Sequence, residues 1–147
     1  MRWGSLLFLA SLAAASHLIG AEPRPSVTVV VGAEGAEEFG KQFQTWASRW
    51  EAAAKQANAD FTAIGLDDAK EKSDRELLTQ RLSSLTSAST EPAWLVLLGH
   101  GTFDGKIARY NLRGPDFTAA QLAAWLRPTL RPLAIIAMFC WMIRSLS

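Results

Sequence analysis

The chain has 147 residues, 49% of them apolar, which suits one domain with a continuous core and leaves no room for two. Fifteen basic side chains stand against 14 acidic ones in an interspersed pattern. There is no basic stripe, so nucleic acid is excluded as an expected partner. In chain order, Arg2 is followed by an apolar block from Leu6 to Ala15 and by small residues ending at Gly20-Ala21. This pattern predicts a secretory signal peptide over 1–21 and therefore export to a secreted or periplasmic location. The block is shorter than the about 20 residues of an ordinary membrane span, so stable membrane association is not expected after cleavage, and an uncleaved N-terminal anchor is the alternative. Residues 22–26 form a Pro-rich linker.

From there strand and helix patterns alternate. Ser26 to Val31 is β-branched and almost wholly apolar, the pattern of a parallel strand buried on both faces, and Gly32-Ala-Glu-Gly35 turns it into a helix. Phe39, Phe43, Trp46, Ala47, Trp50, Ala53, Ala54 and Ala57 recur at spacings of three and four along that helix. Glu37 and Glu38 match the positive end of its dipole and Lys55 the negative end. Asp60 to Ile64 is a second strand. Ser73 with Glu76 is a capping box that opens a helix carrying Leu78, Leu82 and Leu85. A third strand, Trp94 to Leu98, delivers His100 between two glycines. Thr102 to Gly105 is a turn, Lys106 to Leu112 the second arm of a small hairpin or lip, and Thr118 with Gln121 opens a third helix that Pro128 stops. Leu133 to about Ala137 is a fourth strand. Right-handed crossovers make this a three-layer α-β-α domain over 27–137, with a mainly parallel, Rossmann-like sheet of about four strands.

His100 is the leading candidate for chemistry. Open α/β sheets bind ligands outside the carboxyl ends of their strands, and flanking glycines let backbone N–H groups approach a substrate. A histidine in a plain turn is the competing account. Cys140 is the only cysteine and has no intrachain disulfide partner, so it is free, shared with another chain, or chemically used. A buried lone cysteine in an apolar tail is the simpler role. Asp104 and Asp116 flank the lip and either orient the imidazole or serve turn and cap duties. Arg109 and Arg113 are candidates to line a pocket or to be solvated. Asp67 and Asp68 read as solvated. The turn Gly32 to Gly35 lacks the spacing of a nucleotide-binding loop, so no nucleotide cofactor is expected.

A strand ending in His-Gly, a hairpin-like insertion, a helix and a strand leading to a cysteine resemble the caspase-hemoglobinase clan. The likeness is to secreted bacterial caspase-like proteins with Leu-Gly-His-Gly-Thr-Phe-Asp-Gly, here Leu98 to Gly105, and Asn-Leu-Arg-Gly-Pro-Asp, here Asn111 to Asp116. It runs from about Val27 to Ile136. The resemblance implies a cysteine endopeptidase acting on a peptide or protein substrate with no metal or cofactor. It makes His100 the proton carrier, Gly101 the oxyanion donor and the cysteine after the fourth strand the nucleophile. Here that segment reads Ala137-Met-Phe-Cys140-Trp-Met-Ile-Arg144, bulkier than the clan's small polar loop. The expected nucleophile position falls on Phe139 or on Cys140, depending on where the strand ends. The apolar stretch 138–147 reads as an aberrant tail, and the fold as incomplete at its C-terminus, as a truncated or frame-shifted reading would leave it. A non-catalytic, degenerate or truncated caspase-like binding domain is the alternative function.

Overall fold

A computed structural model describes residues 23–67 and 71–143, with 139–143 described by backbone alone. The expected signal peptide at 1–21 and Asp68 lie outside the described residues. Strand β1 (Ser26–Val31) leads to helix α1 (Glu37–Gln56), β2 (Asp60–Ile64) and α2 (Asp74–Ser83), which a short 3-10 turn (Ser84–Thr86) extends. Then come β3 (Ala93–Phe103), β4 (Ala108–Tyr110), β5 (Phe117–Thr118), α3 (Ala119–Leu126) and β6 (Leu133–Ile143). Both capping boxes form: the Ser73 and Thr118 side chains accept from the Glu76 and Gln121 N–H groups, and those side chains return the bond.

All six strands join one sheet. β1 pairs parallel with β2 and β3, and β3 pairs parallel with β6; β4 pairs antiparallel with β3, and β5 with β4. The sheet is therefore mixed and has more strands than the four that periodicity suggests. The reason is β3, which spans 11 residues whereas β1 spans six. β1 covers the edge of β3 only as far as Leu98, and the vacant edge beyond is taken by β4 at Gly101 to Phe103.

Alternation along β3 sends apolar side chains to both faces. Leu95 and Leu97 join a cluster with Leu78, Leu82, Leu85 and Phe117 beside α2 and α3. Val96 and Leu98 join Phe43, Ala47 and Ala54 of α1. A strand covered on both sides has to be a continuous apolar run, which is why Trp94 to Leu98 shows no polar alternation.

Tyr110 fastens the central strands. Its hydroxyl lies 2.9 Å from the Val30 carbonyl and 2.8 Å from the Leu98 carbonyl, and burial raises the phenol pKa. A Cβ at Gly99 would stand 2.9 Å from that hydroxyl, and one at Gly32 would collide with the Asn111 carbonyl. These two glycines make room for the tyrosine. Tyr110→Phe should cost about 1–2 kcal/mol in urea unfolding, because the strand carbonyls lose a buried donor. Gly99→Ala should cost about 1–3 kcal/mol alone and less beside Tyr110→Phe, where the closest clash is gone.

Candidate functional site

His100 sits in β3, not in a loop after it, because β4 and β6 continue the pairing past the predicted strand end at Leu98. Its side chain is on the α1 face with Val96 and Leu98, and only 4% of the residue is exposed. Phe39 meets the imidazole edge-on with ring centroids 4.7 Å apart, and Phe43 does so at 5.3 Å. These residues come from the first two turns of α1, whose apolar stripe faces the sheet.

One imidazole nitrogen has a partner and the other has none. Nε2 lies 3.2 Å from the Glu34 carbonyl, whereas Nδ1 is buried without a hydrogen bond. A carbonyl only accepts, so the contact requires a proton on Nε2. In the neutral ring Nδ1 is then a bare lone pair. A buried acceptor left unpaired costs about 1–3 kcal/mol, so it is a feature to be explained by packing constraint or by use.

The surroundings hold this ring in place. The Asn111 N–H donates to the His100 carbonyl at 3.0 Å, and the Asn111 carbonyl accepts from the Ala33 N–H at 3.0 Å. The end of β4 thereby ties the histidine strand to the turn that supplies Glu34. Gly101, the expected oxyanion donor, is buried between Tyr110 and Trp141 as register neighbours. Its N–H is enclosed by paired strands, so a substrate carbonyl reaches it only if the end of the ladder opens.

Cys140 lies in β6, which runs well past the expected end near Ala137. Its Cα is the register partner of His100 Cα, and neighbouring strands are spaced about 4.8 Å apart. The stretch expected to be an aberrant tail from residue 138 thus continues the strand through Ile143.

A crevice of about 430 Å³ opens beside the histidine pocket at the carboxyl ends of β1 and β2, lined by Gly32, Glu34, Gly35, Phe43, Gly65 and Arg113 among others. His100 lies behind its wall: Glu34, Gly35 and Phe43 separate the ring from the opening. Arg113 reaches the crevice while its guanidinium grips the buried Asp74 carboxylate through two bonds of 2.9 and 3.1 Å. That pair was not visible in sequence, since 39 residues separate its members.

Asp104 and Asp116 perform turn duties. Asp116 accepts from the Leu112 N–H, and Asp104 accepts from the Lys106 and Ile107 N–H groups and from Arg109 at 2.7 Å. The Arg109 bond, followed by the two backbone bonds, lowers the Asp104 carboxyl to about 2. A lowered pKa contributes stability above the ordinary value near 3.8 that disappears as pH falls toward 2. Amide exchange at Lys106 and Ile107 should accordingly rise across that window, and in Asp104→Asn the rise should vanish.

No cluster of three His, Cys, Asp or Glu residues able to hold a metal ion occurs among the described residues, and no described helix is long and apolar enough to cross a membrane. No protein-family model matches the chain, and no curated protein matches it.

Proposed function

We propose that this chain is a caspase-like domain of the caspase-hemoglobinase type, an exported three-layer protein that hydrolyses peptide bonds through His100 and Cys140. The observation that supports this reading is the register of β3 with β6, which puts the two residues opposite each other on adjacent strands. The unpaired Nδ1 of His100 adds to it, being the lone pair that a thiol needs as proton acceptor.

In this reading the Cys140 thiol gives its proton to His100, and the thiolate attacks the carbonyl carbon of the scissile amide. The Gly101 N–H holds the resulting oxyanion. Collapse breaks the C–N bond as His100 protonates the departing amine, leaving an acyl thioester. Water, deprotonated by the same imidazole, then releases the acid and restores the thiol. The substrate must displace the Glu34 and Phe43 cover, and the end of the β3 ladder must open at Gly101, for it to reach this centre.

A second reading has its own support: a histidine only 4% exposed, with its ring between two phenylalanines, is what a core histidine in a non-catalytic caspase-like binding domain looks like. Alkylation of the folded chain by iodoacetamide separates the two. The peptidase reading expects fast modification of Cys140 at neutral pH and loss of cleavage of a fluorogenic peptide library on modification. An inert thiol together with no cleavage rejects it in favour of the binding domain.

A further inference from the structure

Helix α1 buries Phe43, Ala47 and Ala54 against the sheet but leaves a second apolar stripe, Trp46, Trp50, Ala53 and Ala57, along its flank. Two cavities open on that stripe. One, of about 240 Å³, lies at the amino ends of β1 and β3 between Pro25, Trp50, Ala57, Pro92 and Trp94. The other, of about 370 Å³, lies between Trp46, Arg49, Trp50, Ala53 and Met138. They share Trp50 and Ala53, so they are two halves of one trough. Trp94 and Met138 mark its two ends on the sheet and are 37% and 38% exposed. Met138 is in register with Leu98, four residues beyond Trp94 on β3, so the trough runs about 13 Å along the strands. Its charge is one-sided. Arg49 stands at the rim of the wider half, three residues after Trp46 and four before Ala53, and among the described residues it has no ion-pair partner. Glu51 and Lys55 fall on the opposite flank of the helix, beyond Ala47 and Ala54, and no carboxylate lines either half among the described residues.

We propose that the trough binds a free medium-chain fatty acid, its acyl chain lying on the alanine floor between the indoles and its carboxylate paired with Arg49 at the rim. Charge and shape favour this occupant. An apolar cavity with one convergent polar group is the usual form of a small-molecule site, and here that group is a guanidinium, whose fork matches a carboxylate. The ligand class with a single anionic end and an otherwise apolar body is a fatty acid. Ala53 and Ala57 leave the floor without bulk while the Trp50 and Trp94 rings rise beside it, which gives a channel suited to an unbranched chain and too narrow for a helix. The chain then runs from Arg49 past Trp50 toward Pro25, Pro92 and Trp94, where each buried methylene adds to affinity. The residues that line the trough are not those packed on His100, so the proposal stands apart from the peptidase reading.

Isothermal titration calorimetry of the full chain with dodecanoate, kept below its micelle concentration, tests the trough, with dodecanol as the uncharged comparison. Dodecanoate should bind saturably at one molecule per chain, and dodecanol about fivefold more weakly. Arg49→Gln should weaken dodecanoate by about the same fivefold and leave dodecanol unchanged. Ala53→Phe fills the floor common to both halves and should abolish binding of both ligands, with an unchanged far-ultraviolet circular dichroism spectrum. Both positions are exposed, so the fold has little to lose. Octanoate, shorter by four methylenes, should bind at least about tenfold more weakly, because a buried methylene contributes about fourfold in affinity. An absence of saturable dodecanoate binding overturns the proposal, as does dodecanol binding equally well, binding indifferent to Arg49→Gln, or several molecules taken up per chain. Adsorption of the chain to phosphatidylglycerol vesicles without binding of free dodecanoate overturns it in favour of a membrane surface. If Ala53→Phe does not fold, the dodecanol comparison on the unmodified chain decides.

Discussion

Replacing His100 by leucine is expected to slow iodoacetamide modification of Cys140 about tenfold or more while changing the unfolding free energy by less than about 1.5 kcal/mol. The two halves of that result come from different properties of the same side chain. An unactivated thiol at neutral pH is only a few per cent thiolate, so loss of the imidazole base returns Cys140 to that level if the two residues act together. Leucine has about the right volume for the space between Phe39 and Phe43, and it removes the unpaired Nδ1 at the same time as it gives up the Nε2 bond to Glu34. Deleting a bonded and an unbonded polar atom together is close to neutral in a buried site. His100→Ala is the poorer probe, since it opens a cavity expected to cost about 2–4 kcal/mol and mixes unfolding with chemistry. Urea unfolding beside alkylation kinetics on the leucine variant keeps the effects apart. If His100 is packing alone, the leucine variant retains both its stability and its alkylation rate.

Elements whose signals are local were legible in the sequence. The capping boxes at Ser73 and Thr118 start α2 and α3 where expected, because the bonds that make them span three residues. β1 and β2 carry the predicted bounds, and Leu78, Leu82 and Leu85 are the buried face of their helical segment. What depends on partners distant in sequence was not legible. The length of β3 is set by β4 and β6, so a strand read as ending at Leu98 carries His100 and Gly101 within it. The same pairing extends β6 through a segment that reads as a tail. At the candidate site, His100 was legible from its glycines, yet Gly99 has its own steric reason in Tyr110. Neither the Glu34 carbonyl nor the Tyr110 hydroxyl had a signal, since a backbone acceptor has no residue type and a lone tyrosine has no period. Asp104 and Asp116 followed the simpler expectation of turn chemistry.

The largest stability change outside the cores is expected from Arg113→Ala, at about 2–3 kcal/mol. Asp74 opens α2 with its side chain 1% exposed, and the Arg113 guanidinium, 31% exposed, is bonded to both of its oxygens. Removing the arginine strands a carboxylate where water does not reach it, and a broken buried pair costs about 3–5 kcal/mol when both partners are enclosed. Arg113 is about one-third exposed, so solvent screening places the expected loss below that range. Arg113→Lys should recover only part of it, because an ammonium does not reproduce the planar fork. Asp74→Asn in the Arg113→Ala background should restore about half of the loss by removing the stranded charge, and the double-mutant cycle should give a coupling of about 1–2 kcal/mol. Chemical unfolding of the four proteins measures these quantities. Because Arg113 follows β4 and Asp74 heads α2, the pair holds the lip against the helix at the mouth of the crevice. The same loss should therefore appear as faster amide exchange in the lip, localised ahead of global unfolding. An Arg113→Ala protein as stable as the parent would mean that Asp74 finds another donor, and that the remaining bonds, among them those of Tyr110 and Asn111, suffice to hold the lip.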